Sequence, residues 1–96
     1  MEDLLTREKR KVEVPKSYNV VMFNDDFTPV DFVVAVLMSV FGKETHDAVA
    51  LAFEVHQTGR GIAGTYTRDI AETKVMKAME MAKTEEHPFR VEVQPA

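Results

Sequence analysis

Residues 18–42 have the sequence YNVVMFNDDFTPVDFVVAVLMSVFG. Along this stretch, the period at which apolar residues recur changes from two residues to about 3.6 residues. The alternating, β-rich run from Tyr18 to Phe23 is typical of a strand, and Asn24-Asp25-Asp26 favours a turn directly after it. A change of period within so short a stretch predicts a strand followed at once by a helix. Most of the remaining chain can be interpreted outward from this pair.

The predicted helix starts at Thr28-Pro29. Thr28 offers a capping hydroxyl and Pro29 suits the first helical position, while Asp31 places an acid in the first turn. Apolar residues then follow the helical period up to Gly42, at positions Val30, Val33, Val34, Leu37, Met38 and Phe41.

The remaining elements follow in order: a helix after Thr45 that stops at Gly59, a strand at Ile62–Tyr66, a helix capped by Thr67 that ends before His87-Pro88, and a strand at Phe89–Val93. Met76, Met79 and Met81 recur at helical spacing, which predicts that they fill the core. The order βααβαβ predicts an α+β fold, a small two-layer sandwich of three helices on a three-stranded sheet, which we expect to be antiparallel.

The composition describes one globular domain. The chain has 96 residues, 12 basic against 16 acidic side chains, and no cysteine. Residues 1–17 carry five basic and four acidic groups and few large apolar ones, so we expect a flexible N-terminal arm, followed by a core domain over residues 18–96. That core has a formal charge of −5, from seven basic and twelve acidic groups, which argues against nucleic acid as a partner. No apolar run is long enough to span a membrane and no secretory signal is visible, so the expected location is the cytoplasm.

Two polar features have both a structural and a functional interpretation. Asn24, Asp25 and Asp26 suit a turn at a helix N-terminus. The two adjacent carboxylates repel each other, however, and a nearby cation would reduce that repulsion. His56, near the end of the second helix, suits either a structural role or a binding role. If the first two helices form an antiparallel hairpin, His56 approaches the Asn24–Asp26 loop at the mouth of an apolar cleft. Such a group of side chains is suited to a small cation with a hydrophobic body.

Other chemistries lack their motifs. The three histidines show no zinc spacing such as HExxH, and no GxSxG nucleophile motif occurs. The glycines at 59, 61 and 64 precede or enter a strand instead of opening a helix, so they do not form a phosphate loop. We therefore expect neither an enzyme nor a cofactor or metal site.

Several of these fragments occur together in one order and spacing that resembles the ClpS adaptor family. The resemblance covers about Tyr18 to Val93 and is carried by Phe23-Asn24-Asp25-Asp26-Phe27-Thr28-Pro29, Phe32-Val33, Val55-His56, Gly59, Ala71-Glu72-Thr73-Lys74-Val75 and Glu86-His87-Pro88. It implies a non-catalytic adaptor that captures proteins with a destabilising, bulky hydrophobic N-terminal residue. The adaptor delivers them to a ClpA- or ClpC-type AAA+ unfoldase for degradation.

The resemblance also assigns roles to individual residues. The substrate α-amino group is expected at Asn24, Asp25, Asp26 and His56. The first side chain is expected in a pocket of Thr28, Val30, Val33, Ala52, Val55 and Phe89. The unfoldase is expected to contact the surface of Asp69, Glu72 and Lys74 and to engage the arm 1–17 during delivery.

This chain departs from the family pattern at three pocket positions. Val30 and Ala52 stand where methionine is usual in the family, and Phe89 stands where leucine is frequent. We therefore expect first residues Phe, Leu, Tyr and Trp, with a relaxed preference that extends to Ile and Val. The alternative is a purely structural protein-interaction domain with a ribosomal-stalk-like fold, which would share the same layout.

Overall fold

Three helices pack against one face of a three-stranded antiparallel sheet in the computed structural model, which describes residues 16–96. The elements are β1 (Tyr18–Phe23), α1 (Val30–Ser39), α2 (Thr45–Thr58), β2 (Arg60–Tyr66), α3 (Arg68–Thr84) and β3 (Arg90–Pro95). The predicted α+β class, element order and antiparallel sheet are confirmed. The expected arm lies outside the described residues except for Lys16 and Ser17, so the division at residue 18 stays a prediction.

β1 lies at the centre of the sheet, whose strand order is β2-β1-β3. Phe23, the last residue of β1, pairs with Arg60 on one side and with Arg90 on the other. On the β2 side the register shifts between Val20 and Val21, which adds a residue to β2 and bends that strand. One aromatic and two basic residues therefore form a row at the end of the sheet. This end lies beside the turn that follows β1.

The core lies between the sheet and the helices. Val20 and Met22 point from β1 into it and are fully buried, as are Val36 and Leu37 of α1. The buried stripe of α3 consists of small residues, Ala71, Ala78 and Ala82, which let that helix lie close to the sheet.

Two of the three methionines of α3 contradict their prediction as core filler. Met76 is 66% exposed and Met79 is 38% exposed, whereas Met81 is partly buried against the core. The prediction was wrong because spacing alone does not identify which face of a helix is buried, and here alanines occupy that face.

The start of α1 also differs from its prediction. The N-cap is Pro29 instead of Thr28, and its carbonyl accepts the backbone N–H groups of Phe32 and Val33 at 3.1 and 3.3 Å. The Thr28 hydroxyl donates to the Asp25 carboxylate at 2.7 Å. A charged acceptor makes the stronger hydrogen bond, so this side chain organises the preceding loop and leaves the helix end uncapped.

Two glycines allow α2 to lie against β2. Gly59 ends α2 in the left-handed conformation, with φ 95°, which turns the chain directly into β2. A Cβ atom on Gly61 would lie 2.8 Å from the Val55 side chain, so only glycine permits this approach. The last turn of α2 is thereby held over the end of the sheet.

Helices long and apolar enough to cross a membrane are absent from residues 16–96.

Candidate functional site

A cavity opens at the end of the sheet where β1 stops. It lies between the start of α1 and the last turns of α2, as the predicted hairpin of these helices requires. It is lined by Phe23, Asn24, Asp25, Thr28, Val30, Val33, Ala52, Val55, His56 and Phe89. The structure thus brings together nine of the ten residues proposed for substrate binding.

A backbone hydrogen bond holds the loop after β1 against the end of α2. The Asn24 N–H donates to the carbonyl of Gly59 at 2.9 Å, which joins the loop after β1 to the end of α2. Because Gly59 lies three residues after His56, this bond brings the histidine to the loop that contains Asn24 and Asp25. The polar side chains meet although they are about thirty residues apart in the chain.

Asp25 is the most highly organised residue of the loop. Its Oδ1 accepts the backbone N–H groups of Phe27 at 2.8 Å and Thr28 at 2.7 Å, and its Oδ2 accepts the Thr28 hydroxyl. Burial alone would raise the pKa of Asp25, but these hydrogen bonds and the attraction of His87 outweigh burial and lower the pKa below its usual value. The carboxylate therefore stays ionised, and Oδ2 keeps capacity for a further donor.

Asn24, Asp25 and His56 form the polar rim of the cavity. Asn24 and His56 are exposed and Asp25 is half-buried, so their side chains are accessible to a ligand from solvent. Asp26, which the sequence grouped with them, is exposed and is not among the lining residues. The rim thus combines an amide, a carboxylate and an imidazole, all of which can accept hydrogen bonds.

The apolar walls are formed by Val33, Ala52, Val55 and Phe89, all of them buried. Phe89 is 2% exposed and packs edge-on against Phe32, with ring centroids 5.8 Å apart. Val30 and Thr28 are half-buried at the mouth. The space within is narrow, with about 10 Å³ open to the centre of a water molecule, so a bulky side chain would fit there only if wall atoms moved.

Phe23 is the lining residue that sequence reasoning missed. The signal was its position, because it directly precedes the Asn24–Asp26 loop and is the last residue of the strand that ends at the cavity. Phe23 was interpreted only as a strand residue, so its place in the cavity lining was not predicted.

The three residues predicted to face the unfoldase separate into two environments. Asp69 and Glu72 are exposed on α3, and Glu72 pairs with Arg68 at 3.0 Å. Lys74 is half-buried and donates to the carbonyl of Val40 at 2.9 Å, after the end of α1. Its ammonium is therefore already engaged within the protein.

In the described part of the chain, no group of three or more His, Asp or Glu side chains is arranged to hold a metal ion. The cavity combines hydrogen-bond acceptors with an adjoining apolar space.

The sequence is similar to a family model and to curated proteins. The model of the family described as "ATP-dependent Clp protease adaptor protein ClpS" matches residues 13–92. A curated ClpS of Paraburkholderia xenovorans is 41% identical over 93 residues, covering 97% of this chain and 89% of that protein. The ClpS of Burkholderia cenocepacia is 42% identical with the same coverage.

A solved structure is similar as well. Agrobacterium tumefaciens ClpS2, bound to L-phenylalaninamide, superposes with a TM-score of 0.84 at 34% identity and covers 86% of this chain and 100% of its own. These findings do not favour the alternative of a structural domain with a ribosomal-stalk-like fold. The chain belongs to the ClpS family of adaptor proteins of the ATP-dependent Clp protease.

Proposed function

We propose that this adaptor captures proteins through a bulky hydrophobic N-terminal residue and delivers them to a ClpA- or ClpC-type AAA+ unfoldase. The observation that carries the proposal is the cavity itself, which joins three hydrogen-bond acceptors to buried apolar walls. The ligand of Agrobacterium tumefaciens ClpS2 supports it, because L-phenylalaninamide presents a free α-amino group beside an aromatic side chain.

The polar rim recognises the α-ammonium. An ammonium has three N–H donors, and the Asn24 amide oxygen, the Asp25 carboxylate and an imidazole nitrogen of His56 each supply an acceptor. Asp26 contributes its negative charge from outside the cavity, where solvent screens it. A lysine ammonium lies at the end of a flexible stem, so it does not place a backbone and a second side chain in the same positions.

The walls recognise the first side chain. Burial of a large apolar side chain contributes about 1.5 to 3 kcal/mol, so neither walls nor rim alone supply strong binding. Val33, Ala52 and Val55 with Phe89 form the interior, while Thr28 and Val30 border the opening. We propose Phe, Leu, Tyr and Trp as first residues, with Ile and Val accepted more readily than the usual family pattern implies.

Delivery uses other parts of the molecule. Asp69 and Glu72 present exposed charges to the unfoldase, and Lys74 supports this surface from its half-buried position beside α1. The arm 1–17 is the segment that the unfoldase engages. The proposed compartment is the cytoplasm, in keeping with a cysteine-free chain that suits reducing conditions.

Isothermal titration with a short Phe-initiated peptide and its N-acetylated twin tests the proposal. Acetylation removes the positive charge and two of the donors, so we expect the affinity to fall at least about tenfold, or 1.4 kcal/mol. Equal affinity for both peptides would contradict recognition of the α-ammonium.

A further inference from the structure

A cluster of one aromatic and two basic side chains lies beside the cavity, and we call Phe23, Arg60 and Arg90 the arginine cluster. Phe23 pairs directly with each arginine across the sheet, and side chains of directly paired residues project from the same face. The guanidinium carbons lie 6.0 Å (Arg60) and 4.0 Å (Arg90) from the centroid of the Phe23 ring. Both arginines are thus held over one ring.

The cluster is continuous with the proposed binding site. Phe23 itself lines the cavity. Arg90 directly follows the wall residue Phe89, and Arg60 directly follows Gly59, whose carbonyl accepts the Asn24 N–H. Phe23 thus connects the lining of the cavity to the two arginines with which it pairs at the end of the sheet.

Within residues 16–96, the arginines keep hydrogen-bond donors that are not used by a protein acceptor. Contact with the Phe23 ring involves no conventional hydrogen-bond acceptor, so it leaves guanidinium N–H groups of Arg90 available. Arg90 contacts Glu92 through Nε at 3.3 Å, so its terminal nitrogens are not used by that pair. For Arg60, no carboxylate lies within ion-pair distance among residues 16–96.

The charge of the surroundings makes this cluster unusual. The core has a formal charge of −5, and Asp25 and Asp26 lie in the loop that follows Phe23. An acidic residue near the start of a substrate would be repelled by the carboxylates of Asp25 and Asp26. A guanidinium edge offers paired donors that match the two oxygens of a carboxylate.

We propose that the arginine cluster binds the carboxylate of an acidic residue close behind the first residue of the substrate. The inference rests on the proposed function and assigns to this protein a substrate class, namely N-termini such as Phe-Glu or Phe-Asp. Its chemistry is a charge-assisted hydrogen bond at a partly exposed site, which salt weakens.

Two peptides that differ only in Phe-Glu against Phe-Gln at their start test the proposal, with titrations at low and at high salt. We expect the Phe-Glu peptide to bind about threefold more tightly at low salt, and the advantage to shrink at high salt. Arg60→Gln and Arg90→Gln should each reduce the Phe-Glu advantage, and the double variant should remove it. Lys77→Gln removes an equal charge from exposed α3 and should leave the advantage in place.

The outcomes separate this inference from the proposed function. If the unmodified protein binds the Phe-Gln peptide but shows no preference for Phe-Glu, the arginine cluster is not a carboxylate site, while the proposed function stands. The inference is equally overturned if both arginine variants weaken both peptides by the same factor, because the residues would then act only on the sheet end. Binding of neither peptide would contradict the proposed function itself.

Discussion

The polar rim and the apolar walls of the cavity are held in place by different means. Val33, Ala52 and Val55 belong to the core and are fixed by close packing within it. Asn24 and His56 are exposed and depend on one backbone hydrogen bond and on the end of α2 for their position. Substitutions in the rim should therefore change ligand binding with little effect on folding, whereas substitutions in the walls change shape and stability together.

The largest effect is expected from the rim. Asp25→Ala and His56→Ala should each weaken binding of a Phe-initiated peptide by at least about tenfold, because each removes an acceptor from the ammonium and leaves a donor unpaired. Asp26→Asn is the control, because Asp26 is exposed outside the cavity. This substitution should weaken peptide binding much less. The affinities are measured by calorimetry. If Asp26→Asn weakened peptide binding as much as Asp25→Ala, the distinction between the two carboxylates would be contradicted.

A smaller, graded effect on the preference for the first residue is expected at the opening of the cavity. Val30→Met adds reach at the opening, so it should raise the preference for Phe over the β-branched Ile by about fivefold, within the range of about 1 to 3 kcal/mol typical of such pocket changes. The measurement is a peptide panel that differs only in the first residue. Val34→Met places the same side chain four residues further along α1, at a position that does not line the cavity, and serves as control. An unchanged Phe to Ile ratio in Val30→Met would show that Val30 does not gate the pocket.

Asp25 is the exception within the rim, because it also stabilises the fold. Thr28→Val removes the hydroxyl donor to Asp25 and should lower the free energy of unfolding by about 0.5 to 1.5 kcal/mol at pH 7. The folded pKa of Asp25 is lowered, so its contribution is present above the unfolded value near 3.8 and is lost as the pH falls through the folded pKa.

Urea titrations at pH 7 and below pH 3 measure this dependence. The difference between Thr28→Val and the unmodified protein should shrink at the lower pH. Thr73→Val is the control, because its hydroxyl donates to the neutral backbone carbonyl of Asp69 and its cost should not depend on the ionisation of Asp25. A cost of Thr28→Val that is constant with pH would contradict the coupling.

The smallest effect on binding is expected from the arm. Deletion of residues 1–15 should leave peptide affinity and the melting temperature unchanged, because β1 separates the start of the described chain from the cavity by the length of six strand residues, about 20 Å. Transfer of a bound substrate to the unfoldase should fail in a degradation assay. Loss of peptide affinity at unchanged melting temperature would place the arm in the site.

Sequence reasoning worked where one local pattern has one physical meaning. Alternation identified β1, the 3.6 period identified α1, and Gly59 marked the end of α2. It failed where several partners compete for one group. The Thr28 hydroxyl could cap α1 or bond to Asp25, and only the folded loop shows that the carboxylate is the acceptor.

The candidate site was predicted in the same uneven way. The hairpin of α1 and α2 follows from their apolar faces, so the meeting of His56 with Asn24 and Asp25 could be expected. The position of Asp26 outside the cavity depends on the turn geometry, which no spacing encodes. The arginine cluster depends on strand register, because Arg60 and Arg90 become neighbours only when both strands pair with Phe23.

The Ala96 N–H donates to the carbonyl of Ser17 at 3.1 Å, which continues the pairing of β1 with β3 past Pro95. Both Ser17 and Ala96 thus lie at the end of the sheet opposite the cavity. A fluorescent protein or a biotin tag attached after Ala96 would project away from the binding pocket. Immobilised on a sensor chip through this end, the domain would present its cavity outward, ready for selection of free N-termini from a peptide library.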